Sequence, residues 1–254
     1  MRISKGEPQP FPELRGTLAG MRYPAYVEPK IDGELNWFKY IDSASIWKDH
    51  YLINKSGKMR LELPITKELD EMGIDQNLLG ELHWGEGKSG ALYEFLKHQK
   101  DDELRFTVFD VNMPGTYEER SKWLGEHIKD TKHVQLVDHR RMLSKDGVME
   151  AYRDYTDDCY EGIVVKSADS RLIMGPCPWV KLKHRTTIIG VVSEIDTSLE
   201  RIEFIYKGHA IGLKCANVTK RTLKIGDEIE VEHQGELSQG GLRHPVYIRK
   251  VGEK

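Results

Sequence analysis

The chain has 254 residues, of which 39% are hydrophobic and 31% are charged, and this composition is typical of a globular protein rather than a disordered or fibrous one. No apolar run is long enough to span a bilayer, and the first residues lack the apolar core of a signal peptide, so we expect a cytoplasmic protein. The net charge of −3 argues mildly against a nucleic-acid-binding protein, although a local basic face can be balanced elsewhere.

Residues 1–23 are rich in proline and glycine and predict an extended arm or one short element. From there to about Arg185, short β-rich runs alternate with polar turns and helical patterns. The strand signals cover 34–40, 78–84, 106–111 and 162–166. The helical patterns cover 65–72, 91–99 and 117–128, and Thr116 with Glu119 predicts a capping box at the start of the third. This mixture predicts an α+β domain with antiparallel sheets.

The pattern changes from Thr186 onward, where helix signals become sparse. Five short strand signals cover 188–192, 201–206, 210–214, 228–232 and 245–249. This number of short strands in so short a segment is typical of a small Greek-key barrel such as the OB-fold. We therefore predict two domains, covering residues 1–185 and 186–254.

Several local patterns argue against other kinds of site. Cys159, Cys177 and Cys215 form no CxxC pair, so we expect small buried side chains rather than disulfides or a zinc site. The histidines lack the spacing of a zinc enzyme. The glycine-rich stretch 85–89 resembles a phosphate-binding P-loop, but that motif requires glycine where this chain has Leu82.

The first pattern that predicts chemistry is Glu28-Pro-Lys30-Ile-Asp32-Gly33. A lysine directly after a strand, with an acid and a turn glycine behind it, can serve as a positioned amine nucleophile. The amine must lose its proton before it attacks, and burial and positive neighbours favour the neutral form. In isolation the pattern is weak, because a surface turn has the same composition.

Further motifs follow in a fixed order: Asn54-Lys55-Ser-Gly57-Lys58, Gly80-Glu81-Leu82, Phe109-Asp110, Glu161-Gly-Ile-Val-Val-Lys166 and Trp179-Val-Lys181-Leu-Lys183. Each alone has a simpler explanation, such as a core tryptophan or a solvated strand face. Together they resemble the nucleotidyltransferase superfamily of ATP-dependent DNA ligases, RNA ligases and mRNA capping enzymes. The resemblance extends from about Tyr26 to Lys254.

The resemblance implies a nucleotidyltransferase (ATP-grasp-like) domain followed by an OB-fold domain. It implies that Lys30 attacks the α-phosphate of ATP and retains AMP as a phosphoramidate. The other implied catalytic residues are Lys166, Lys181 and Lys183. The implied nucleotide-binding residues are Glu28, Ile31, Lys55, Glu81, Phe109 and Trp179, with the ring of Phe109 stacked on adenine. Glu81 and Glu161 are the implied Mg²⁺ ligands, and Mn²⁺ is a possible substitute. The implied DNA-phosphate contacts are Lys55, Lys58, Arg243 and Arg249.

Elementary chemistry agrees with these implied roles. Phosphoryl transfer depends on positioning and on charge stabilisation more than on acid–base chemistry. Lys181 and Lys183 occupy alternate positions of a strand, so both ammonium groups are expected on one face. One cluster of cations would then both activate the amine and stabilise the phosphate that it attacks.

The sequence departs from the family pattern at two places. Leu35 stands where many DNA ligases and capping enzymes carry arginine, which leaves an RNA substrate open. The tail ends in Val251-Gly-Glu253-Lys254, where DNA ligases have Arg-x-Asp-Lys. Arg249 or Lys250 can substitute for the missing arginine, or self-adenylation is slow. Only 29 residues precede Lys30, too few for the extra domain of NAD-dependent ligases, so ATP is expected.

We therefore predict a compact, monomeric, ATP-dependent DNA ligase without an N-terminal DNA-binding domain. Its expected partner is nicked double-stranded DNA, and the 238–241 loop and the N-terminal arm would partly replace the missing domain. One alternative is an RNA ligase or a capping-type nucleotidyltransferase with the same lysine chemistry. A second, of a different class, is a non-catalytic OB module that binds nucleic acid.

Overall fold

A computed structural model describes residues 2–41, 50–88, 103–215, 223–237 and 240–252. The chain divides into two compact units, Met1–Leu182 and Lys183–Lys254. The helix predicted for 91–99 lies outside the described residues. Within the described parts, no helix is long and apolar enough to cross a membrane.

The first unit is mostly β, with few helices between its strands. Its strands are β1 (Arg2–Lys5), β2 (Pro12–Leu14), β3 (Ala25–Pro29), β4 (Glu34–Lys39), β5 (Tyr51–Asn54), β6 (Lys58–Leu61), β7 (Leu78–Trp84), β8 (Leu104–Val111), β9 (Val134–Leu136), β10 (Arg140–Met142), β11 (Gly162–Ser167), β12 (Gly175–Cys177) and β13 (Val180–Lys183), the last of which ends on the first residue of the second unit. Its described helices are α1 (Pro64–Glu71), α2 (Tyr117–His127) and α3 (Lys145–Asp157), together with a 3-10 turn over Leu18–Gly20.

These strands form three sheets. The order is β1-β6-β5-β4-β7-β8-β9 in the largest sheet, β10-β3-β11-β13 in the second and β12-β2 in the third. Two strand pairs depart from the predicted antiparallel arrangement, because β8–β9 and β2–β12 are parallel. For β8 and β9 the reason is the connection, since α2 lies between them and a helical crossover returns the chain in the same direction.

The helices form where the sequence supplies a start signal and an apolar stripe. At α2 the predicted capping box is confirmed, because the Thr116 hydroxyl accepts from the Glu119 amide and the Glu119 carboxylate accepts from the Thr116 amide. The sequence patterns did not predict α3, which is capped by Ser144. Its buried stripe includes Val148 and Ala151 and packs against the strands of the second sheet.

The second unit contains the five predicted strands. They are β14 (Thr186–Asp196), β15 (Arg201–Tyr206), β16 (His209–Lys214), β17 (Glu228–His233) and β18 (Val246–Lys250). They form one antiparallel sheet in the order β16-β15-β14-β17-β18. Inward-facing residues such as Ile202, Phe204 and Val231 are fully buried and form the core of this unit.

Two cysteines are buried as expected, and one is not. Cys177 and Cys215 lie in the interior, whereas Cys159 is exposed. Cys159 has a φ of 68° directly beyond Asp158, the C-terminal cap of α3. The prediction of a buried side chain is therefore wrong there, because the position terminates a surface helix.

Candidate active site

The candidate site is a cavity of about 230 Å³ in the first unit. Its wall combines residues from the end of β3 and from β4, β7, β8, β11 and β13. The sequence-predicted residues that line it are Glu28, Lys30, Ile31, Glu81, Phe109, Lys166, Trp179 and Lys181. Strands far apart in sequence thus bring most of the predicted motifs to one place.

Lys30 is held at the edge of this cavity by β11. The register of the antiparallel β3–β11 pair places Pro29 opposite Ile163, and the Lys30 amide then donates to the Gly162 carbonyl over 2.8 Å. This arrangement brings the Lys30 ammonium against the carboxylate of Glu161, with which it forms an ion pair. The Lys30 side chain is 22% exposed and that of Glu161 only 2%, so the lysine is the accessible partner of this pair.

Gly33 is required where the chain leaves the lysine and approaches β7. A Cβ atom on Gly33 would lie 2.4 Å from the Leu82 carbonyl oxygen, closer than any side chain tolerates. The next strand then pairs with β7 so that Leu35 lies opposite Glu81. Leu35 lines the cavity, so an apolar wall stands where many relatives are expected to have an arginine.

Lys166 lies inside the wall and is fully buried. Its ammonium lies 2.8 Å from a Glu28 oxygen and donates to the Phe109 carbonyl over 2.9 Å. It also lies 4.8, 4.5 and 4.4 Å from the ring centres of Phe109, Tyr117 and Trp179. Because rings and carboxylate surround this cation, it fixes the aromatic wall of the cavity as well as contributing charge.

Glu28 is the carboxylate that balances this buried cation. It accepts a hydrogen bond from the Tyr117 hydroxyl in addition to its ion pair with Lys166. Burial raises the pKa of Glu28, and the nearby Lys166 ammonium opposes that effect. The carboxylate therefore depends on Lys166 to remain charged at the wall of the cavity.

A second ion pair supports the wall from behind. Asp110 and Arg120 are both fully buried, and the guanidinium contacts the carboxylate through two nitrogens, at 2.6 and 3.2 Å. Arg120 also donates to the carbonyls of Gly115 and Ser170. One Asp110 oxygen lies 4.0 Å from the Lys166 ammonium, so alternating charges extend from α2 to the cavity. Sequence reasoning missed Arg120, because nothing in a helical pattern marks one arginine as buried.

The acidic side of the cavity centres on Glu81. Burial, and then the neighbouring carboxylates of Glu161, Asp32 and Glu34, raise the pKa of Glu81 to about 8, while Lys30 opposes this shift. A divalent cation would stabilise the charged form of such a carboxylate, and Mg²⁺ is commonly held by one or two carboxylates together with substrate phosphates. Glu81 and Glu161 therefore fit as Mg²⁺ ligands. Among the described residues, no group of three His, Cys, Asp or Glu side chains is arranged to hold a metal ion by itself.

Lys55 and Lys183, both predicted to contact the nucleotide, are not among the residues that line the cavity, and neither is the predicted metal ligand Glu161. Lys55 is 68% exposed and pairs with Glu13 over 3.3 Å. Lys183 belongs to the second unit and lies 3.4 Å from the Gln234 side-chain oxygen. Lys181 thus lines the cavity without its predicted companion Lys183.

The remaining predicted DNA contacts lie on two different units. Lys58 lies on β6, opposite Lys5 of β1. In the second unit, Arg249 forms an ion pair with Glu230, and the Arg243 amide donates to the Gly235 carbonyl over 2.9 Å. Part of the 238–241 loop and the last two residues of the tail motif lie outside the described residues.

Comparison with protein families identifies the central part of the chain. Residues 82–183 match the family model of the ATP-dependent DNA ligase domain. This segment contains Phe109, Glu161, Lys166 and Lys181, and the match confirms the resemblance of the sequence to ATP-dependent DNA ligases. Comparison with curated proteins gives no match.

Solved structures show the same fold. A structure of a Lig E DNA ligase has a TM-score of 0.74 at 13% identity, covering 95% of this chain and 99% of that one. The structure named Pmar-Lig_PreS3 has a TM-score of 0.74 at 17% identity, covering 96% and 68%. A mycobacterial DNA ligase D solved with ATP and MES has a TM-score of 0.55 at 18% identity, covering 97% and 96%.

Proposed function

We infer that this chain is an ATP-dependent DNA ligase, and we propose that it seals nicks in duplex DNA through an AMP carried on Lys30. The family match supports ligase activity, and it contains much of the cavity wall. One observation carries the residue assignment: Lys30, which lies outside the matched segment, meets Glu161 from inside it at the edge of the same cavity. A surface turn, the simpler explanation of the lysine pattern, does not account for this convergence.

The cavity is suited to hold the adenosine and the α-phosphate of ATP. We propose that adenine stacks on Phe109 between the apolar side chains of Ile31 and Leu35, with Glu28 and Trp179 in the same wall. The triphosphate would then lie towards Lys30 and Lys181. A nucleotide of this size exceeds the enclosed volume, so its phosphates extend through the mouth of the cavity.

The first reaction step is proposed to start from the ion pair of Lys30 with Glu161. Glu81 and Glu161 would hold Mg²⁺ next to the bound phosphates, and the metal would neutralise phosphate charge. The Lys30 ammonium would separate from Glu161 and give a proton to solvent before it attacks. The nitrogen then attacks the α-phosphorus, a P–N bond forms, the bond to the β-phosphate oxygen breaks and pyrophosphate leaves, while the nitrogen releases its second proton to solvent to give the phosphoramidate.

The two remaining steps use the same site. The 5′-phosphate at the nick attacks the phosphorus of the lysine-bound AMP, so the P–N bond breaks and an adenylated DNA end forms. The 3′-hydroxyl then attacks the DNA phosphorus, which closes the phosphodiester and releases AMP. We assign Lys166 a positioning role in these steps, because its ammonium is enclosed by rings and by Glu28.

We propose that the two compact units act as the predicted domains, a nucleotidyltransferase over 1–185 and an OB-fold over 186–254. The strand order of the second unit supports an OB-fold, because three strands follow one another as a meander, β17 and β18 extend the other side, and the outer strands β16 and β18 approach each other. Its proposed DNA contacts are Arg243 and Arg249. Lys183 is proposed to serve the α-phosphate together with Lys181.

The proposed partner is nicked double-stranded DNA, bound by a monomer. Lys55, Lys58, Arg243 and Arg249 would contact backbone phosphates, which makes binding sensitive to salt. Sealing that is insensitive to salt would contradict this assignment of the partner contacts.

The function is tested with α-labelled ATP, Mg²⁺ and nicked substrates. We expect label on the wild type and on Lys67→Ala, a matched control because Lys67 is exposed on α1, and none on Lys30→Ala. Adding nicked DNA should discharge the label and yield a sealed strand. Discharge by nicked RNA alone would overturn the DNA substrate in favour of an RNA ligase. Transfer to the 5′ end of an RNA transcript would indicate a capping-type enzyme.

A protein that never labels but binds DNA equally with and without Lys30 would be a binding module. Pre-adenylated nicked DNA separates this outcome from a slow first step. A ligase with an impaired tail motif still seals that substrate, whereas a binding module does not.

A further inference from the structure

The N-terminal segment forms part of the cavity wall and at the same time presents charge to solvent. Strand β2 pairs in parallel with β12, and Leu14 lines the cavity. Because side chains alternate along a strand, Glu13 and Arg15 lie on the opposite face from Leu14. The segment thus carries two charged groups on the face turned away from the cavity.

Several hydrogen bonds fix this segment in place. The Arg15 amide donates to the Cys177 carbonyl and the Gly16 amide to the Trp179 carbonyl, each over 3.0 Å. A Cβ atom on Gly16 would lie 1.9 Å from the Pro178 carbonyl oxygen, so these two backbone segments are too close together for any residue other than glycine at this position. The backbone of Arg15 therefore has a defined position behind the cavity wall rather than a place on a loose arm.

Glu13 holds two cations from different parts of the fold. One of its oxygens lies 3.2 Å from an Arg15 nitrogen, and the other lies 3.3 Å from the Lys55 ammonium. Hydrogen bonds from Arg15, the larger effect, and from Lys55 hold the pKa of Glu13 below its ordinary value. An arginine and a lysine that bind separate oxygens of one anion form the arrangement that also binds a phosphate.

The pair remains accessible to a large ligand. The side chains of Arg15 and Lys55 are 71% and 68% exposed, and that of Glu13 is 38% exposed. Lys55 is followed in the chain by Lys58, which lies opposite Lys5 in the β1–β6 pair, and Glu7 is a further exposed acid of the N-terminal segment. Exposed pairs of this kind are weak, so a polyanion that brings several phosphates can replace the internal carboxylate.

We propose that Arg15 and Lys55 form a binding site for a backbone phosphate of nicked DNA, and that Glu13 occupies this site until the DNA displaces it. The choice of DNA as the ligand rests on the proposed function. Leu14, between Glu13 and Arg15, lines the cavity with Lys30, and the two charged residues lie on the other face of the same segment. The bound phosphate therefore lies outside the cavity, on the DNA backbone that flanks the nick. Glu13 thereby sets how tightly the enzyme binds DNA without taking part in the chemistry.

The proposal is tested by fluorescence anisotropy of a labelled nicked duplex, titrated at several salt concentrations in EDTA. We expect Glu13→Gln to tighten binding about two- to fivefold, because both cations are released from a weak ion pair. Arg15→Ala should weaken binding and reduce the slope of log K against log salt by about 0.9, the value for one lost phosphate contact. Arg15→Lys should keep the slope.

Arg22 and Asp169 provide a matched control pair. They form an exposed ion pair in the same unit, with a distance of 3.1 Å and side chains 70% and 55% exposed. Arg22→Ala and Asp169→Asn should leave affinity and slope unchanged. If Glu13→Gln behaves like Asp169→Asn, or if Arg15→Ala keeps the wild-type slope, the proposal is overturned.

The position of the contacted phosphate is tested with a neutral methylphosphonate placed singly at each site around the nick. At one site near the nick, the substitution should weaken binding by the wild type and have no further effect on Arg15→Ala. Additive losses at every site would contradict a specific contact.

Labelling of Lys30 by ATP without DNA tests the proposed function separately. If Lys30 is labelled but none of these binding changes is seen, the proposed function stands and the phosphate site is overturned. If Lys30 is not labelled but the binding changes are seen, the ligase mechanism is overturned and the phosphate site stands.

Discussion

Replacing Arg120 by methionine should destabilise the first unit strongly. Arg120 and Asp110 are both fully buried, and the variant leaves the Asp110 carboxylate with the Val111 amide, at 2.8 Å, and with the Lys166 ammonium, at 4.0 Å, as its one nearby cation among the described residues. Breaking a buried pair by removing one partner costs about 3–5 kcal/mol. For a domain of this size, that loss lowers the melting temperature by about 6–20 °C. Arg22→Met, which breaks an exposed pair, should cost less than about 1 kcal/mol.

The assay is thermal and urea unfolding of the full chain followed by tryptophan fluorescence. All five tryptophans lie within Met1–Leu182, so the signal reports the unit that contains the pair. Adding Asp110→Asn to Arg120→Met removes the uncompensated charge and should recover part of the loss. Equal melting temperatures for Arg120→Met and Arg22→Met would refute the view that this ion pair supports the cavity wall.

Three further predictions rest on single contacts. Gly33→Ala should destabilise the protein and impair labelling, because the new Cβ would lie 2.4 Å from the Leu82 oxygen. The control Gly125→Ala, which has open space in α2, should be neutral or stabilising by up to about 1 kcal/mol, and similar melting curves for the two variants would contradict this prediction. Glu81 has a folded-state pKa of about 8 against an ordinary value of 4.5, so the folded protein retains a proton that the unfolded chain releases, and stability falls as the pH rises between those values. Glu81→Gln should therefore gain stability relative to the wild type from pH 4.5 to 8, and a constant difference in unfolding free energy across that range would count against the assignment. Phe109→Ala should raise the KM for ATP in self-adenylation roughly tenfold, because it removes about 1–2 kcal/mol of stacking, whereas Phe109→Tyr should retain most of the affinity. An unchanged KM for the alanine variant would show that adenine does not stack on this wall.

Local signals in the sequence predicted the elements whose start or pattern lies in a few neighbouring residues. The Thr116–Glu119 capping box and the five strands of the second unit are examples. By contrast, α3 was missed, because its buried stripe is short and its first turn contains Gly147, a poor helix former. The parallel pairing of β8 with β9 was also missed, since strand direction depends on the crossover rather than on the strand itself.

The candidate site was predictable to the extent that motif order predicts a shared cavity. The approach of Glu161 to Lys30 depends on the β3–β11 register, which no pattern of residues reveals. For the same reason, the sequence did not predict the ion pairs of Arg120 with Asp110 and of Glu13 with Lys55. In each pair the two partners lie on different elements and carry no local signal, so only the folded chain identifies them.

The central claim is that Lys30 carries the AMP, and peptide mapping by mass spectrometry after incubation with ATP and Mg²⁺ tests it most directly. We predict one adenylate on the peptide that contains Lys30, lost on addition of nicked DNA and absent from Lys30→Arg, a variant that keeps the positive charge opposite Glu161. AMP on a different lysine, or undiminished adenylation of Lys30→Arg, would contradict the account.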